Sequence, residues 1–87
     1  MPRTYCFSVH AAASTCSLPR VLEVFAVHGH VPQQLHSQRV TEDDLVIDVQ
    51  LDAVTDGDAA AVARRLGRCV NVTNVFWSEK QRCVVAA

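Results

Sequence analysis

Leu45, Ile47, Val49 and Leu51 alternate with Val46, Asp48, Gln50 and Asp52, a period of two that only an extended strand turns into a single apolar face. Such a face has to be covered, so this chain must layer a sheet against something else. The cover is also in the sequence. Leu18, Val21, Leu22 and Phe25 fall at i, i+3, i+4 and i+7, and Ala59, Val62, Ala63, Leu66 and Val70 repeat the helical spacing. Each segment predicts an amphipathic helix with one buried stripe.

The ends of these elements can be read from capping chemistry. The hydroxyls of Ser14, Thr15 and Ser17 suit a helix start near Thr15 to Ser17, which places Pro19 in the first turn, where its missing N–H costs nothing. Gly29 stands where a left-handed residue stops the helix, and Pro32 prevents it from resuming. Thr55-Asp56-Gly57-Asp58 is a second capping cluster, and Arg64, Arg65 and Arg68 form the solvated face of the helix that follows.

The remaining strands are weaker. Tyr5, Phe7 and Val9 alternate with Cys6, Ser8 and His10 in a first strand with both faces partly covered. Leu35 to Val40 is extended but too polar for a central strand and reads as an edge, followed by a turn at Thr41 to Asp44. Val72 to Trp77 is β-branched and aromatic, and Cys83 to Val85 offers a short additional strand. The order strand, helix, strand, strand, helix, strand is the split βαβ arrangement. Right-handed crossovers put both helices on one face, which predicts an α+β, ferredoxin-like sandwich with a four-stranded antiparallel sheet. Tyr5 or Cys6, Phe76 and Trp77 cannot all lie under the helices, so the open face calls for a partner.

Size points the same way. A chain of 87 residues, 49% of them apolar, buries one modest core, and association is the natural means of burying more. Eight basic residues against nine acidic ones leave no field that would attract nucleic acid. Met1-Pro2-Arg3 runs into alternating residues without the apolar stretch of a signal peptide or membrane span, so a cytoplasmic protein is expected. Cys6, Cys16, Cys69 and Cys83 lie far apart and read as reduced thiols.

Catalysis and metal binding find little support. His28, His30 and His36 with Cys16 lack the spacing of a metal site, and the first loop offers no Cys-x-x-Cys. Residues 10–19 contain no glycine to build a phosphate cradle. Cys16 at a helix start, with His10 nearby in sequence, is the one candidate nucleophile, and nothing recognisable supplies an oxyanion hole. No catalytic residue, metal or cofactor is expected in this chain.

The run from Leu18 to Val31, with Arg20-Val21-Leu22 at its centre and Gly29 closing it, resembles the first helix and turn of ACT domains. Leu66-Gly67-Arg68-Cys69-Val70-Asn71-Val72 resembles the family's second-helix ending, and the likeness is greatest to small subunits of acetolactate synthase, covering residues 5–77. The resemblance implies one domain over residues 1–78, with 79–87 as a tail. It implies a homodimer through the second strand and first helix, with Leu35, Ser37 and Arg39 at the interface. It also implies an amino-acid effector site at Ala13, Ser14, Thr15, Cys16, Val31 and Pro32.

In effector-binding members that site uses a polar residue and a glycine in the first loop and an asparagine after the first helix; here Ala13, Cys16 and Val31 occupy those places. The pattern is similar to that of short, valine-insensitive small subunits, which bind and activate a large catalytic subunit carrying thiamine diphosphate, flavin and magnesium. The expectation is thus a non-catalytic regulatory subunit in branched-chain amino acid biosynthesis. A free-standing ACT sensor of an amino acid or other small molecule is the alternative.

Overall fold

The structure, a computed structural model, describes residues 3–80. Its elements are β1 (Arg3–Ala12), α1 (Ser17–Val27), β2 (Gln34–Arg39), β3 (Asp44–Val54), α2 (Asp56–Leu66) and β4 (Val72–Glu79). The strands form one sheet in the order β2-β3-β1-β4, with every neighbouring pair antiparallel. This is the ferredoxin-like ACT arrangement that the sequence predicts.

Alternation decides which face of the sheet is covered. Tyr5, Phe7, Val9 and Ala11 of β1 and Ile47, Val49 and Leu51 of β3 are buried. All of these but Ala11 pack with Val21, Val24 and Phe25 of α1 and with Ala59, Val62, Ala63 and Leu66 of α2 in one core. Phe7 meets Phe25 edge to face, with ring centroids 5.7 Å apart, a geometry that adds to the area both rings bury. The residues between them, among them Cys6, Ser8, Asp48 and Gln50, face away from the helices.

Both helices start where the sequence places them, but only α2 has the expected side-chain cap: α1 begins at Ser17 after Cys16, with no side-chain cap bond. Thr55 caps α2 by accepting the Asp58 backbone N–H at 3.2 Å. At the far end of α1, Gly29 has φ +78°. His30 N–H reaches the Phe25 carbonyl at 2.8 Å and Gly29 N–H the Ala26 carbonyl at 3.0 Å, the paired bonds of a Schellman ending.

Three expectations need correction. Leu22, placed on the buried stripe of α1, is 37% exposed, and Val24 takes its place in the core. Val70, placed on the apolar face of α2, is 88% exposed, because the helix ends at Leu66. Arg68 and Cys69 there bond back to Arg65 and Leu66, tightening the chain into a turn. Finally, β4 runs past Trp77 to Glu79, and Lys80 N–H bonds the Thr4 carbonyl at 2.8 Å. The expected strand at Cys83 to Val85 lies outside the described residues.

Candidate functional site

The loop from Ala13 to Cys16 sits at the end of the sheet where β1 finishes. Ala12 N–H bonds the Asn71 carbonyl and Ala13 N–H the Asp43 carbonyl, so this loop, the β2–β3 turn and the α2–β4 turn are tied together. Within the loop Ser14 Oγ accepts the Cys16 N–H at 3.3 Å, and the Ser14 carbonyl accepts the Ser17 N–H at 3.1 Å. Cys16 is the residue before the helix, with helical backbone angles and no side-chain cap bond. Its thiol is exposed, whereas His10 lies on the open sheet face with its ring against Phe76, at a centroid separation of 5.3 Å. The two are not assembled into a nucleophile and base.

Val31 and Pro32 follow the other end of α1. A helix of 11 residues at about 1.5 Å per residue separates them from the Ala13–Cys16 loop by about 16 Å. One chain therefore does not bring the six effector positions together. His28 and His30 stand at that same far end, away from Cys16. Among the described residues no group of three His, Cys, Asp or Glu side chains is placed to hold a metal ion.

The expected interface residues Leu35, Ser37 and Arg39 lie on β2, an outer strand whose six residues are all exposed. Val40 N–H bonds the Asp44 carbonyl at 2.9 Å, and the register pairs Arg39 with Leu45 and Ser37 with Ile47. In an antiparallel ladder the hydrogen-bonded and non-hydrogen-bonded pairs alternate. The main-chain groups of Leu35, Ser37 and Arg39 are consequently those that point away from β3. Leu22, 37% exposed on the flank of α1, and Leu35, 40% exposed, add apolar surface along this side.

A hollow of about 770 Å³ lies on the open sheet face, with Cys6, Ser8, His36, Asp48, Gln50 and Phe76 among its lining. His36, Asp48, Ser8 and Phe76 are successive cross-strand neighbours, so one residue from each strand forms a row across it. Phe76 is 57% exposed, while Tyr5 and Trp77 lie toward the helix side with ring centroids 5.9 Å apart. The expectation of an uncovered face carrying an aromatic thus falls on Phe76.

Two features were missed in the sequence. Ser17 is 1% exposed, and its hydroxyl donates to the Ala12 carbonyl at 2.6 Å, closing the end of β1 onto the start of α1. A serine among capping hydroxyls carries no mark of that long reach. Arg20 shares a hollow with Arg65 and Arg68, although the sequence assigned only the α2 arginines to a common face. The signal was available, since all three flank apolar helix stripes.

Comparison with known proteins agrees with the geometry. An ACT domain of a GTP pyrophosphokinase from Chlorobium tepidum superposes with a TM-score of 0.79 at 5% identity, covering 90% of this chain and 100% of that one. An uncharacterized protein from Thermotoga maritima gives 0.76 at 16% identity, covering 93% and 100%. The C-terminal domain of the MgtC protein from Mycobacterium tuberculosis gives 0.72 at 13% identity, covering 91% and 88%. Identities this low speak for the fold. No curated protein matches the sequence. The sequence does match the ACT-like domain family over residues 3–84, a span that includes all four strands and both helices, and the chain belongs to that family.

Proposed function

We propose that this chain is a regulatory subunit without catalytic chemistry of its own, which pairs with a second copy through β2 and α1 and docks on a large, thiamine-dependent catalytic subunit of the acetolactate synthase type. The observation that carries the reading is β2, a fully exposed outer strand with outward main-chain groups at Leu35, Ser37 and Arg39. An unpaired edge of this kind is a template for another strand. A two-fold axis beside it would join two four-stranded sheets into one of eight strands. The same axis reverses one copy end for end and lays Ala13 to Cys16 beside the partner's Val31 and Pro32.

The chemistry at that junction favours protein contact over an amino-acid effector. Ala13, Cys16 and Val31 offer no side-chain groups for an ammonium or carboxylate, and the Ser14 hydroxyl already gives one of its two lone pairs to the Cys16 N–H within its own loop. Enclosing a charged ligand without partners costs several kcal/mol. The open-face groove with Phe76 remains for the catalytic subunit, consistent with the placement of aromatic anchors at interfaces.

Co-expression with an acetolactate synthase large subunit tests the proposal. Co-purification and a rise in turnover are expected. Absence of both overturns it, and a thermal shift specific to one amino acid would put a free-standing sensor in its place.

A further inference from the structure

A second hollow, about 240 Å³, opens in the seam between α1 and α2 on the outer side of the helix layer. Arg20 reaches it from α1, Arg65 from the last turn of α2, and Arg68 from the turn beyond, with Glu23 the one carboxylate in the lining. Three of the chain's eight basic residues therefore meet at one concavity in a protein of net charge −1. The ion pair found among the described residues is Arg3 with Glu79, on the sheet. Arginine side chains donate hydrogen bonds there from Arg3 and Arg39, and neither lines this hollow.

Helix electrostatics explains part of the cluster. Arg64 and Arg65 occupy the last turn of α2, where the helix dipole favours cations. Arg20 has no such explanation. It is the fourth residue of α1, whose first turn carries no acid, so it adds positive charge near the positive end of its own helix and across from Arg65 and Arg68. Like charges gathered in this way repel, and a bound anion reverses the sign of that interaction.

We infer that the hollow lined by Arg20, Arg65 and Arg68 is a binding site for a phosphate group, either free or as the monoester of a small molecule. Three guanidiniums less one carboxylate leave two positive charges in the lining, matching a phosphate dianion. The planar fork of arginine bonds phosphate oxygens in pairs. The volume lies below the roughly 300–1,000 Å³ of sites that enclose a drug-sized ligand, so the hollow takes a compact anionic head and leaves the rest of the molecule outside. Leu22 occupies the opposite flank of α1, so this site is separate from the paired edge.

Thermal unfolding followed by the fluorescence of Trp77, the only tryptophan, tests the inference with inorganic phosphate, glycerol 3-phosphate and sodium chloride at matched ionic strength. One of the phosphates should raise the midpoint saturably beyond chloride. A stronger response to inorganic phosphate identifies the free anion, and a stronger response to the ester identifies a phosphorylated small molecule. Arg20→Gln and Arg68→Gln should each weaken the apparent affinity about tenfold, the worth of one charged hydrogen bond. Arg64→Gln, the same charge change outside the lining, should leave it unchanged. The inference is overturned if neither phosphate exceeds chloride, or if Arg64→Gln weakens binding as much as the others. A shift produced by a polyglutamate peptide alone would also overturn it and point to an acidic protein segment instead. All four arginine positions are exposed, and circular dichroism checks that each variant is folded.

Discussion

The Tyr5 hydroxyl donates to the Asp56 carboxylate, tying the start of β1 to the first turn of α2. This bond, then burial and the negative charge of Asp56, hold the phenol above its ordinary pKa of 10.0. A raised folded value means that the neutral phenol favours the native state. The contribution is complete below about pH 10 and is lost as pH rises through the folded value. Tyr5 is the only tyrosine, so the absorbance of tyrosinate reports it alone. Native protein should ionise at higher pH than protein in denaturant, and Asp56→Asn should move the native midpoint down. Equal midpoints in all three samples would show that the bond does not govern the titration.

Two backbone positions with positive φ call for opposite changes. Gly29 ends α1 at φ +78°, and an added Cβ there would meet nothing within 4 Å. Gly29→Ala therefore carries only the left-handed conformational cost, and a loss of about 1 kcal/mol is expected in urea unfolding. Ala53 sits at φ +58°, beside the register shift where Arg3 pairs with Val54 and Tyr5 with Leu51. The extra residue falls in β3, as in a bulge that glycine suits. Ala53→Gly should recover up to about 1 kcal/mol. If both substitutions shift stability in the same direction, left-handed strain is not what sets the two values.

Ser17 is the buried polar residue among those described, and its hydroxyl satisfies the carbonyl of Ala12. Ser17→Ala leaves that carbonyl with the Ser14 N–H, at 2.8 Å, as its remaining donor at the β1–α1 corner, and losing the buried bond should cost about 0.5–1.5 kcal/mol. Ser14→Ala, whose exposed hydroxyl accepts a single bond from Cys16 N–H within the loop, should cost less. Equal losses would mean that loop order rather than the buried bond dominates.

Legibility followed the range of the interaction. The period of Leu45 to Leu51, the Thr55 cap and the Gly29 stop are local, and each appears in the structure where its residues place it. Leu22 was misread because Leu18, Val21, Leu22 and Phe25 satisfy the helical template, while Ser17, Val21, Val24 and Phe25 are the residues that turn inward. The two stripes differ by a fraction of a turn, and only the position of the sheet chooses between them. Val70 failed for a related reason. Helical spacing continues past Leu66 on paper, yet the chain turns at Arg68 and Cys69 to enter β4. For the candidate site, the sequence supplied residue identities at Ala13 to Cys16 and at Val31 and Pro32, but their separation by the length of α1 is a property of the fold.

The pairing edge offers a test that separates association from folding. Proline removes one N–H donor, which matters to the β2–β3 ladder only where that N–H points at β3. The register and the Val40 to Asp44 bond direct the Ser37 main chain outward and the His36 main chain toward Asp48. Ser37→Pro should therefore leave a folded chain, with Trp77 fluorescence and circular dichroism unchanged, and abolish a dimer built through β2. His36→Pro, one residue away, should lower the unfolding midpoint by breaking the ladder. Sedimentation velocity reads the outcome. A dimer that survives Ser37→Pro with its affinity intact is not built on this edge, and the proposed continuous sheet would have to give way to contact through the open face around Phe76.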